Sequence, residues 1–121
     1  MLVALWIVNG LLALMMLAAG GMKLLTPKTA LAEKGMAWTE DFSVGAVKAI
    51  AAAEVLGAVG LIAPLATGIL PVLAPLAAVG LAIIMIGAIV VHIRRREAFV
   101  PALVQGVLAV AAAVLGFLVV R

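Results

Sequence analysis

Residues 72–91 read VLAPLAAVGLAIIMIGAIVV, twenty consecutive residues without a charge, a hydroxyl or an amide side chain. A helix on the surface of a soluble protein keeps one polar face, and this stretch is apolar all round, so its solvent is expected to be lipid. At ~1.5 Å per residue it is about 30 Å long, the thickness of one hydrocarbon core. A membrane span at 72–93 is therefore predicted, and the rest of the chain can be read outward from it.

Downstream, Arg94, Arg95, Arg96 and Glu97 interrupt the apolar run, and 99–120 makes another span with Pro101 tolerated in its first turn. Upstream, Pro64, Thr67, Gly68 and Pro71 mark an uncharged link to a span at 44–63. The segment before that, Lys28 to Phe42, mixes Glu33, Lys34, Glu40 and Asp41 with Leu31, Met36 and Trp38, which suits a short amphipathic helix at the interface. The first span is expected over 2–25, stopped by Pro27. Its apolar run is longer than a signal peptide usually has and no basic region precedes it, so it is read as a retained helix. The expected fold is all-α: one integral membrane domain over 1–121, an antiparallel bundle of four transmembrane helices with an interfacial helix after the first span.

Composition agrees with this reading. The chain is 69% hydrophobic and 11% charged, with a mean hydropathy of +1.45. The net charge of +3 comes from only eight basic residues, too few and too scattered for a nucleic-acid surface. They read instead as topology signals. Lys23, Lys28, Lys34, Lys48, Arg94, Arg95 and Arg96 fall on the side of the two charged loops, and Arg121 falls opposite. The positive-inside rule then puts the loops in the cytoplasm and both termini outside, in what is expected to be a bacterial cytoplasmic membrane. The three arginines also suit anionic lipid headgroups, and Trp6 and Trp38 suit the two interfaces.

An ionisable group at hydrocarbon depth costs ~3 kcal/mol or more unless a partner or water is found. Glu54 is such a group, with no other charge between Ala49 and Ala63. Lys48 is six residues away, about 240° around the helix, and makes a poor partner. Lys23 can reach the same level from the end of the first span by extending its side chain. His92 and Gln105 belong to that layer by depth. Lys23, Glu54, His92 and Gln105 are thus the candidate ligand-binding residues, around a pocket for a headgroup or a proton. The plain alternative is that Lys23 and Lys48 snorkel, His92 faces solvent, and Glu54 and Gln105 merely join helices. Asn9, in the opposite half of the membrane, is expected to make a structural hydrogen bond.

Ala49, Ala53 and Gly57, the pair Gly80 and Gly87, and the run Ala18 to Gly21 could let helices approach closely, or could reflect composition alone. With one histidine and no cysteine, the chain by itself has neither both axial ligands for a b-type haem nor a conventional zinc or copper site. No nucleophilic triad, phosphate loop or dinucleotide fingerprint is present.

Three short motifs carry a resemblance: Ala19-Gly20-Gly21-Met22-Lys23-Leu24-Leu25, Glu54-Val55-Leu56-Gly57, and His92 at the end of the third span. In these the chain resembles the DoxX-like family of small four-span membrane proteins. Members resemble membrane subunits of thiosulfate:quinone oxidoreductases, and others are linked to redox complexes, cargo handling or receptor assembly. The resemblance implies a fold more closely than an activity. It implies an accessory or quinone-facing subunit of a membrane oxidoreductase system, with no intrinsic cofactor, a quinone as candidate ligand, and Lys23, Glu54 and His92 as matched positions. The rival expectations are a small proton-coupled transporter using Glu54 and a non-catalytic assembly factor. Partners are expected in the bilayer itself, a redox or other membrane protein, or a second copy of the chain.

Overall fold

The computed structural model describes residues 1–33 and 36–120; Lys34 and Arg121, two of the eight basic residues, lie outside the described residues. Helix α1 spans Leu2–Leu25, α2 Lys28–Glu33, α3 Val44–Thr67, α4 Leu73–Arg94 and α5 Val100–Val120, with a 3-10 turn at Ala37–Asp41. No strand occurs among the described residues, and α1, α3, α4 and α5 are each long and apolar enough to cross a membrane.

Two boundaries differ from expectation. Helix α3 does not stop at Pro64 but continues to Thr67. Proline at 64 deletes only the N–H that would bond the carbonyl of Gly60, a loss membrane helices tolerate. The helix ends instead at Gly68, whose φ of 71° is the left-handed cap that glycine adopts without a Cβ penalty and whose N–H donates to Pro64 O. The second difference is in the connection after α1, where one amphipathic helix was expected. The structure has the six-residue α2 and then a separate 3-10 turn, closed by Thr39 Oγ1 donating to Met36 O at 2.7 Å.

The long helices pack in a ring, α1 against α3 and α5, α4 against α3 and α5. Each inward stripe follows the spacing of helices that cross at a shallow angle. On α1 it runs Leu5, Asn9, Leu12, Met16, Gly20, Lys23; on α3, Val47, Ala51, Glu54, Ala58, Leu61. Three polar side chains therefore occupy positions that the pattern reserves for core residues. On α4 and α5 the stripes are mostly small: Ala74, Ala78, Ala102, Ala109, Ala112 and Gly116.

Contacts between neighbours run in opposite chain order. Asn9 meets Leu61 and Gly20 meets Ala51; Gly57 meets Leu81 and Gly60 meets Ala77. The glycines that bring helices together are Gly20, Gly57, Gly60 and Gly116, at each of which an added Cβ would come within 3 Å of a neighbour. Gly21, Gly80 and Gly87 face open space, so of the small residues singled out in the sequence only some serve packing. Large apolar side chains such as Leu14, Leu56 and Ile83 point outward and are exposed. A continuous apolar exterior of this kind suits a lipid bilayer.

Candidate functional site

At the end of the bundle that carries the charged connections, a cavity of about 300 Å³ lies between α1, α3, α4 and the 3-10 turn. Its polar end is an ion pair, Lys23 Nζ donating to Glu54 Oε1. The pair is sealed: Lys23 is 6% exposed and Glu54 1%. Gly20, one turn before Lys23, makes this possible, because its missing Cβ lets α1 approach the Ala51 carbonyl and Glu54 Cβ. Each charge offsets the desolvation of the other, and in so apolar a setting neither is tolerable alone.

Aromatic side chains from the turn form the wall opposite. The Trp38 ring lies 5.3 Å from Lys23 Nζ, within cation–π range, and stands edge-on to Phe42, centroids 5.6 Å apart. His92, at the last turn of α4, is edge-on to Trp38 at 6.3 Å, and its Nδ1 lies 3.4 Å from Glu97 Oε1. Ile50 of α3 and Ile84, Met85 and Val91 of α4 supply the apolar remainder. The cavity is thus amphiphilic, with one cation and one carboxylate at its head, aromatic edges to one side and aliphatic walls below.

A second set of contacts fixes the mouth. Arg95 Nη1 binds Asp41 Oδ2 at 2.8 Å, tying the 3-10 turn to the end of α4. The hydrogen bond that Arg95 donates to Asp41 and, against the opposing effect of burial, that to Glu97 hold its guanidinium above its ordinary range. Lys48 reaches back from the second turn of α3 to the end of α1, where Nζ donates to the carbonyls of Lys23, Leu24 and Thr26, the latter two at 3.0 Å. Helix C-termini leave carbonyls without intrahelical partners and attract cations, so Lys48 caps α1 directly beside the ion pair.

Of the four residues selected from sequence, the structure gathers Lys23, Glu54 and His92 around the cavity. Gln105 is half-buried on α5 and is not among the residues lining the cavity. Depth along a helix places a residue in a layer, and rotation about the axis decides whether it faces inward; α5 does not border the cavity. Trp38 and Phe42 were missed as walls because aromatics in a polar segment read equally well as interfacial anchors. Asn9 makes the structural bond expected of it, Nδ2 donating to Leu61 O at 2.9 Å, while its buried Oδ1 has no partner among the described residues. No group of three metal-ligating side chains occurs among the described residues.

Compared with known proteins, residues 7–116 match the model of the DoxX-like family. No curated protein and no solved structure matches the chain.

Proposed function

This chain belongs to the DoxX-like family, and from that premise we propose that its buried ion pair is the polar end of a binding site for a small amphiphile, a quinone being the candidate. The observation that carries the reading is the sealed Lys23–Glu54 pair at the head of an otherwise apolar cavity of about 300 Å³. Ligand pockets combine apolar walls with a few converging polar groups in this way. Lys23 offers N–H donors to a carbonyl oxygen, Trp38 and Phe42 offer ring edges to a flat headgroup, and the exposed, side-chain-free Gly87 leaves room for a tail to pass between helices into lipid. His92 and Glu97 guard the aqueous end.

In this reading the helices form an antiparallel bundle crossing a bacterial cytoplasmic membrane four times, with α2 and the 3-10 turn at the interface. The reversed order of contacts between neighbouring helices supports it. The charged connections face the cytoplasm and the termini face outward, as the grouping of Lys23, Lys48 and Arg94–Arg96 at one end favours. Electron-carrying groups belong to a partner, and the chain is its quinone-facing or accessory subunit. A proton-coupled carrier has less support, since a carboxylate that exchanges proton and substrate is ill served by a fixed lysine.

The test is purification of the native assembly in its own lipids, with mass spectrometry of retained small molecules and polypeptides. A prenylated quinone is expected with the wild-type chain and is expected to be depleted by Glu54→Gln. Recovery of the chain alone, with neither a quinone nor a redox partner, overturns the proposal.

A further inference from the structure

On the side of α4 away from the cavity, a second hollow of about 690 Å³ runs between α4 and α5. Ile86 and Ile89 form one wall and Leu103, Gly106, Val110 and Leu115 the other, and its lining is apolar throughout. From Leu103 to Leu115 along α5 is about 18 Å at ~1.5 Å per residue, close to the ~15 Å of one leaflet of a ~30 Å core. The groove therefore has the length of a single acyl chain. It ends towards the α4–α5 connection, where Ile89 is followed within about two turns by Arg94 and Arg96.

Those arginines are available. Arg95 is occupied by Asp41 and Glu97, whereas Arg94 and Arg96 are exposed and make no ion pair among the described residues. Arg96 also stands where glycine is the favoured residue. Its φ is 56°, and it closes a helix-ending motif in which Arg96 N–H donates to Ile93 O and Glu97 N–H to His92 O. A non-glycine residue in the left-handed region is strained, and the helix-ending motif holds Arg96 there.

We propose that this groove binds one anionic phospholipid of the leaflet on the charged-loop side. Its phosphate sits at Arg94 and Arg96, and one acyl chain lies between α4 and α5. Two exposed cations that make no ion pair among the described residues, beyond the charged-loop end of a leaflet-long apolar trough, match the two ends of such a molecule.

Delipidated full-length protein in detergent, titrated with phosphatidylglycerol or phosphatidylcholine and read by native mass spectrometry, tests the site. Phosphatidylglycerol is expected to bind more tightly. Replacing both arginines, R94Q with R96Q, is expected to weaken its binding about thirtyfold and that of phosphatidylcholine, whose choline offsets the phosphate charge, much less, and R94K with R96K to restore most of the loss. Ala111→Phe, which fills the trough with both arginines intact, is expected to weaken it as well while thermal melting stays cooperative. Equal affinity for the two lipids, or indifference of phosphatidylglycerol to the paired glutamine substitutions, overturns the proposal. So does a second copy seated in the trough, detected as a disulfide dimer of Val110→Cys in native membranes that carries no bound lipid.

Discussion

Lys23 of α1 and Glu54 of α3 are bonded to each other at the level where Gly20 lets the two helices close, so that a charge pair and a steric fit occupy one place. The cavity, the register of α1 on α3 and the cap supplied by Lys48 all meet there.

Removing either member of the pair strands the other charge in an apolar interior. Glu54→Leu and Lys23→Met should each lower stability by about 3 kcal/mol or more, and the combined substitution should recover most of that loss. Thermal unfolding of the four proteins in one detergent closes the double-mutant cycle. Additive losses would show that the pair is not coupled.

Gly20 and Gly21 are adjacent but not equivalent. A Cβ at Gly20 would lie 2.9 Å from the Ala51 carbonyl oxygen, and one at Gly21 would touch nothing. Gly20→Ala should cost about 1–3 kcal/mol through overpacking, whereas Gly21→Ala should stay within ~0.5 kcal/mol. Melting temperatures in micelles suffice to check the contrast.

Asn9 donates one hydrogen bond and buries an acceptor that has no partner among the described residues. Asn9→Leu removes both, and its effect should be no more than about 1 kcal/mol. Asn9→Asp should be much worse, because it removes the donor and adds a charge. Equal melting of the two variants would contradict the assigned orientation of the amide.

Lys48 holds the last carbonyls of α1 rather than facing the headgroups. Lys48→Met should cost about 1 kcal/mol, and proteolysis around Thr26 and Pro27 should quicken as the end of α1 frays. Lys48→Arg should keep part of the cap. If Lys48 served only as an anchor, cleavage there would be unchanged.

Hydropathy alone made the long helices legible, because a run such as 72–91 has no other stable solvent. Glu54 and Lys23 were legible for the same reason: a charge at that depth needs a partner, and few were within reach. What could not be read was rotation and return. Gln105 has the right depth and faces elsewhere. Trp38 and Phe42 reach the cavity only because the 3-10 turn lies against the end of α1 and is tied to α4 through Asp41 and Arg95, and Lys48 meets α1 only because α3 packs against its end. Pro64 looked like a stop since the sequence shows the missing N–H but not the packed neighbours that make its loss bearable.

Helices α3 and α4 meet closely where Gly57 faces Leu81 and Gly60 faces Ala77, and the amphiphilic cavity opens between them about 10 Å further along, at ~1.5 Å per residue. Such a crossing works as a fulcrum: the gap is set by an angle fixed at a distance from it. A methyl group added at Gly60 would bear on the width of the mouth without touching its lining, so residues outside the cavity can set its dimensions.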